Sequence, residues 1–185
     1  MDKAKGTIQF TKAVATGNDF VIIDNRAAAI TGLGSLAKRL CDGKRSIGAD
    51  GLLVIERSGK ADFRMRIFNP DGSEPEMCGN GSRCAALFAM VHKIAPRDMT
   101  IDTAAGVLKA SVRGDLIKVM LTEPKGIKWN LCLMINKCPY KVDFVNTGVP
   151  HVIHFVDDLD KVDVKMLGSH IRSHGEFAPA GTNAD

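Results

Sequence analysis

The run Met77-Cys78-Gly79-Asn80-Gly81-Ser82-Arg83 sets a thiol directly before the segment Ser82 to Lys93, whose composition predicts the best helix of the chain. A free cysteine is only a few per cent thiolate at neutral pH. At a helix start, unpaired backbone N–H groups and the positive end of the helix dipole both favour the thiolate. Gly79 and Gly81 carry no Cβ, so a ligand can approach the backbone closely. The same N–H groups can hold a carboxylate. One loop thus combines a proton-transfer group with a carboxylate clamp, which suits removal of the α-proton of an amino acid. A small buried cysteine before a helix and a plain Gly-Asn-Gly turn have the same composition, so residue types alone leave both readings open.

Four asparagines stand at Gly-containing or strand-end breaks: Asn18 after Gly17, Asn69 before Pro70, Asn80 in the Cys loop, and Asn183 in Gly181-Thr182-Asn183. An amide both donates and accepts, so several of them can hold an ammonium and a carboxylate without adding charge. Each is equally at home as an ordinary turn residue. The five cysteines, Cys41, Cys78, Cys84, Cys132 and Cys138, are odd in number and irregular in spacing, which points to reduced thiols. There is no CxxC pair, and six residues of helix turn a side chain by roughly 240°, so Cys78 and Cys84 do not converge. A metal site is not expected.

The composition is that of an ordinary globular protein, with 45% hydrophobic and 25% charged residues. The 25 basic and 21 acidic residues are spread along the chain, with no block that would draw nucleic acid or a membrane surface. Met1 to Gly6 lack the apolar run of a secretory signal, and no apolar stretch is long enough to span a bilayer. A cytoplasmic enzyme is the expectation.

The elements that would position these residues are mostly strands. Thr7 to Lys12 alternates and predicts a strand, followed by a break at Thr16-Gly17-Asn18-Asp19 and the apolar strand Phe20 to Asp24. Gly34 to Cys41 predicts a short amphipathic helix with Ser35 as N-cap. Ile47 to Gly51 is a glycine-rich bend before a buried strand, Leu52 to Glu56. Phe63 to Phe68 alternates and ends at the turn Asn69-Pro70-Asp71-Gly72. After the Cys loop and its helix come strands at Met99 to Thr103, Gly106 to Val112 and Leu116 to Leu121. A composition break at Thr122 to Gly126 marks a boundary. Beyond it, Tyr140 to Asn146 and His151 to Val156 read as strands, Val164 to Arg172 as a helix, and Pro179 to Asp185 as having no closing element. Many strands around one prominent helix indicate α+β rather than a doubly wound parallel sheet.

Together these residues resemble the diaminopimelate epimerase family. The matching stretches are Gly17-Asn18-Asp19-Phe20, Ile47-Gly48-Ala49-Asp50-Gly51, Phe68-Asn69-Pro70-Asp71-Gly72-Ser73, Met77 to Cys84, Asn146-Thr147-Gly148-Val149-Pro150-His151 and Gly181-Thr182-Asn183. They occur in the family's order across nearly the whole chain. The resemblance implies two similar lobes, each a curled mixed or antiparallel sheet around a central helix: residues 1–122 as the first, and 123–185 as part of the second. It implies an epimerase without cofactor that converts LL-diaminopimelate to the meso form with two thiols on opposite faces of the substrate. Cys78 matches one of them. Gly79, Asn80, Asn18, Asn69 and Asn183 match substrate contacts, and His151 a supporting histidine near the thiols. Members are often homodimers.

The departures are equally specific. Many relatives carry Gln where Gly51 stands and Asn where Val149 stands, so those contacts are not carried over. The family's Glu-Arg pair and second Cys-Gly-Thr-Gly loop lie downstream of the position of Asn183. None of Cys84, Cys132 or Cys138 has a Cys-Gly-x-Gly context. The expectation is therefore a chain with the first catalytic thiol and no inversion by itself. The other readings are an amino-acid-binding fragment without chemistry, or a related racemase of another amino acid.

Overall fold

The computed structural model describes residues 7–185, so Met1 to Gly6, where no signal was read, lie outside the described residues. The chain forms two compact units that divide between Leu121 and Thr122.

The first unit is a seven-stranded mixed sheet whose spatial order follows the chain. Its strands are β1 (Thr11–Ala15), β2 (Asn18–Asp24), β3 (Gly51–Glu56), β4 (Phe63–Phe68), β5 (Asp98–Thr103), β6 (Gly106–Arg113) and β7 (Leu116–Met120). The pairs β2/β3 and β4/β5 are parallel, and helices make both crossovers: α1 (Leu33–Leu40) before β3, and α2 (Gly79–Val91) before β5. Side-chain alternation sends the two faces of β2 and β3 to different helices. Phe20, Ile22, Leu53 and Ile55 pack in the cluster that contains α2. Val21, Ile23, Leu52 and Val54 pack with Leu33, Leu36 and Ala37 of α1. Both faces are covered, which is why these strands read as continuous apolar runs.

The α2 helix is buried through Gly81, Ser82, Cys84, Ala85, Ala86, Phe88 and Ala89. A helix lined by residues this small can lie close against a sheet, and strands β1 to β7 all contact it. Gly81 marks the closest approach: a Cβ there would stand 3.0 Å from Leu53 Cδ2 and 3.4 Å from Cys78 Cβ. The start of the helix is thereby seated on the sheet.

The second unit has a four-stranded sheet, ordered β11-β10-β9-β8, made of β8 (Lys125–Ile135), β9 (Cys138–Asn146), β10 (Pro150–Ile153) and β11 (Asn183–Ala184). Leu133, Ile135, Val142 and Val152 form its core with Leu167 and Ile171 of α3 (Val164–Arg172). The Asp163 side chain caps α3 by accepting from Met166 N–H at 2.9 Å.

The α+β class stands, and several boundaries differ from the sequence reading. The first strand is Thr11–Ala15, not Thr7 to Lys12. Ala15 pairs with Asn18 across Thr16-Gly17, both at positive φ (50° and 84°), and this two-residue hairpin sets the register from the turn outward. Ser35 is not the cap of α1: the helix begins at Leu33 from a left-handed Gly32, with no side-chain cap, and this start buries Leu33, Leu36 and Ala37. The α2 helix starts at Gly79, earlier than Ser82, because Cys78 itself is the cap. The long β8 has no counterpart in the sequence reading, since Lys125–Asn130 is exposed, carries two register shifts and shows no alternation before Leu131. Strand β10 ends at Ile153, and the carboxyl-terminal segment does contain a strand, held by parallel pairing of His151 with Asn183.

One ion pair ties the approach to the Cys loop to the sheet. Arg66 on β4 donates to both carboxylate oxygens of Glu74 at 2.7 Å and stacks 5.0 Å from the Phe68 ring centroid. The Arg66 hydrogen bond, more than the opposing effect of burial, holds the Glu74 carboxyl below its ordinary value. A carboxylate with a lowered folded pKa stabilises the fold above its unfolded pKa, and that contribution disappears as pH falls through the folded value. Replacing Arg66 by Met is therefore expected to lower stability at neutral pH and to flatten the loss of stability below about pH 4.5. Urea midpoints measured between pH 3 and pH 7 would check both, with the numbers of that range set by the carboxylate pKa.

Candidate active site

Cys78 sits at the mouth of α2 with extended backbone (φ −144°, ψ 122°), and its Sγ accepts from the Gly81 N–H at 3.4 Å. Its carbonyl accepts from Ser82 Oγ at 2.8 Å, which fixes the cap from the other side. The side chain is half-buried. A Cβ on Gly79 would meet only Leu121 Cδ2, at 3.9 Å, so the loop backbone is open on that side.

Asn80, in the first turn of α2, donates from Nδ2 to Asn18 Oδ1 at 2.7 Å. Asn18 in turn donates from Nδ2 to Asp50 Oδ2 at 3.1 Å. Asp50 and Asp19 hold each other: Asp50 Oδ2 accepts from Asp19 N–H at 3.1 Å, and Asp19 Oδ1 accepts from Asp50 N–H at 2.9 Å. Lys12 pairs with Asp19 at 2.8 Å and also donates to the Gly48 carbonyl. The Lys12 bond, with the Asp50 backbone N–H second, keeps the Asp19 carboxyl below its ordinary value. Three sequence motifs, around Asn18, Asp50 and Cys78, thus meet in one polar network where the parallel strands β2 and β3 begin. Arg83 joins by donating from Nη1 to Asn80 Oδ1.

Asn69 lies outside that network. Its Nδ2 donates to Ser73 Oγ at 3.0 Å, and its backbone N–H to Ser73 O at 2.9 Å, so its amide is engaged in its own turn. That turn rests on α1, where a Cβ on Gly34 would stand 2.7 Å from the Gly72 carbonyl oxygen. In the second unit, Asn183 donates from Nδ2 to Pro150 O at 3.0 Å, and His151 Nδ1 lies 2.7 Å from Asp185 Oδ2. The pairing of β10 with β11 joins the Asn146 to His151 and Gly181 to Asn183 motifs within that unit. Lys12, Asp19, Asp50 and Arg83 were not singled out from sequence. The signal was present only in that Asp19, Asp50 and Arg83 lie inside the matching motifs.

Cys41 and Cys84 differ from Cys78 in being buried. Burial, then the neighbouring Cys78, pushes Cys84 up to about 11. Cys84 borders a cavity of about 520 Å³ that includes Arg83, Phe88 and His92 but neither Cys78 nor Asn80. Burial also raises Cys41. Cys132 and Cys138 are exposed on β8 and β9. Brief treatment with iodoacetamide at neutral pH is expected to label Cys78, Cys132 and Cys138 and to spare Cys41 and Cys84, because only accessible thiolate reacts. Peptide mass mapping would check this.

Among the described residues, no group of three His, Cys, Asp or Glu side chains is placed to hold a metal ion, and no helix is long and apolar enough to cross a membrane.

Solved structures share this fold at low identity. A phenazine biosynthesis protein of the PhzF family from Bacillus anthracis superposes with a TM-score of 0.62 at 20% identity, covering 90% of this chain and 61% of that one. A probable proline racemase from Agrobacterium radiobacter K84 gives 0.63 at 17%, covering 89% and 57%. The likeness to both is one of fold. The sequence model for diaminopimelate epimerase matches residues 10–127. The diaminopimelate epimerase of Hydrogenobaculum sp. (strain Y04AAS1) is 43% identical over 188 residues, covering 95% of this chain and 68% of the relative. That of Aquifex aeolicus (strain VF5) is 39% identical over 190 residues, covering 96% and 68%. The chain belongs to the diaminopimelate epimerase family, whose members are isomerases that work without pyridoxal phosphate. It spans about two thirds of the length of these curated relatives.

Proposed function

We propose that the chain carries one catalytic half of a diaminopimelate epimerase, with Cys78 as a thiolate base on LL-diaminopimelate. The observation that carries this reading is the Cys78 cap: Sγ facing the first-turn Gly81 N–H, half-buried, beside amides that are already ordered. In the forward step the Cα–H bond breaks and an S–H bond forms on Cys78, while the electron pair is left on the α-carbon and spreads into the carboxylate. First-turn N–H groups of α2 are suited to the growing negative charge there. Gly79 and Asn80 would bind the substrate from the loop, and Asn18 and Asn69 from neighbouring turns. Asn183 is proposed as a further amide contact, and His151 as a support for proton movement.

Inversion needs an acid on the opposite face. None of the remaining cysteines suits that role: Cys41 and Cys84 are buried, away from any ligand, and Cys132 and Cys138 lie on exposed strands. Residues 1–122 are read as the first lobe and 123–185 as part of the second, in a cytoplasmic biosynthetic enzyme.

The test is incubation of LL-diaminopimelate in deuterated water with the 185-residue chain. One thiol can return a deuteron only to the face it deprotonated, so deuterium should enter the α-position with retention. Rapid conversion to the meso form by a chain of verified mass would overturn the single-thiol assignment. Absence of exchange, here and in a longer form with a second thiol, would overturn the enzymatic reading.

A further inference from the structure

The hydrogen bonds that join Asn80 to Asp50 all run in one direction. Arg83 donates to Asn80 Oδ1, Asn80 donates to Asn18 Oδ1, and Asn18 donates to Asp50 Oδ2. A guanidinium can only donate and a carboxylate can only accept, so the two ends are chemically unambiguous. An isolated asparagine has no such constraint: its oxygen and nitrogen are nearly equal in size, and the amide can turn over. Here either charged end suffices to set the direction of both amides, because a reversed amide would place two donors or two acceptors face to face. A chain that starts at a cation and ends at an anion is also polarised along its length, which strengthens each link.

We propose that Asp50 and Arg83 are positioning residues that terminate this one-way relay and lock the side-chain orientations of Asn18 and Asn80 at the Cys78 loop. Neither needs to touch a ligand. Arg83 sits one turn into α2, on the helix that Cys78 caps. Asp50 is held by its own backbone and by Asp19, so the acceptor end does not drift. Each asparagine keeps one N–H and one oxygen lone pair outside the relay, with their identities fixed. A ligand then meets a defined donor pattern instead of a mixture of flipped amides, and the cost of ordering the amides is met before binding. The use of that pattern for an amino-acid ligand rests on the proposed function; the locking of the amides does not.

Side-chain NMR of the ¹⁵N-labelled chain tests it directly, by the hydrogen exchange of the Asn80 NH2 group. Asp50→Ala and Arg83→Leu each leave one charged end, so each should keep the slow Asn80 proton. The double variant leaves neither, and exchange of that proton should rise by about tenfold, the scale of one hydrogen bond. Adding Asn18→Asp to the double variant puts an acceptor-only group next to Asn80 and should restore slow exchange. A structural role alone would not be rescued by that third change. The proposal is overturned if the double variant keeps the native Asn80 signal, or if the triple variant exchanges as fast as the double while α2 backbone amides stay protected. Titration with meso-diaminopimelate separates the two ideas: a relay that behaves as expected in a chain whose Asn80 signal ignores the ligand leaves the inference standing and removes the amino-acid reading of the loop.

Discussion

Replacing Cys78 by serine is expected to abolish α-hydrogen exchange while leaving the fold almost unchanged. A positioned general base contributes about 10² to 10⁴ in rate, and a serine hydroxyl is not ionised at neutral pH, so a loss of about 10³-fold or more is expected. The structural effect runs the other way. Cys78 occupies an N-cap with extended backbone, and its side chain accepts from Gly81 N–H. Serine is among the preferred residues at that position and can accept the same bond through its oxygen. The melting temperature should therefore stay within a few degrees of the parent, a shift of the size produced by about 1 kcal/mol. Exchange into LL-diaminopimelate by mass spectrometry and a thermal melt on the same sample would check the pair of outcomes. Loss of both activity and fold would mean that Cys78 is chiefly a packing residue. Retention of exchange would place the base elsewhere.

Replacing Leu53 by alanine is expected to have the reverse profile, with a large effect on stability that reaches the loop through packing. Leu53 is fully buried on β3 and belongs to the cluster that encloses α2. Its Cδ2 is the atom that a Cβ on Gly81 would meet first. Removing it opens a cavity directly beneath the first turn of the helix. Leu→Ala changes in such cores cost about 2–5 kcal/mol, depending on how far the surroundings collapse. Because α2 starts at this contact, its first-turn amides should lose protection before those near Phe88. Trp129, the single tryptophan, lies exposed in the second unit and is not part of this core. Far-ultraviolet circular dichroism in urea and amide hydrogen exchange along α2 are the suitable measurements. A loss under about 1 kcal/mol, less than is usual for a buried leucine, would mean the contact is slack.

These two residues also show what local pattern can convey. The Leu53 strand was legible because both faces are covered, so an unbroken apolar run marks it. The Cys78 loop was legible as a helix start because a thiol followed closely by two glycines stands at the head of an Ala-rich segment. By contrast, the start of β1 depended on the Thr16-Gly17 hairpin, where register is counted from the turn and not from the alternation of Thr7 to Lys12. Strand β8 was invisible where it is exposed, since a solvated strand has no burial pattern to impose on its composition. Strand β11 is two residues long and exists only through its pairing with β10.

By itself, the sequence determined the chemistry on offer: a thiol, the glycines that clear its approach, and the asparagines that suit a zwitterionic ligand. It also determined the α+β class, through runs of strands interrupted by one prominent helix. Only the tertiary structure decided which of these groups meet in hydrogen bonds. Asn80 reaches Asn18 across 62 residues and Asn18 reaches Asp50 across 32, while Asn69 stays in its own turn. The reason is physical. Backbone preferences and apolar periodicity are local and can be read along a chain, whereas the partner of an amide is set by which strands and helix ends the packed sheet brings into contact. The direction of an amide is set further still by a cation or carboxylate at the end of its hydrogen-bonded chain, a choice that no single segment of the sequence contains.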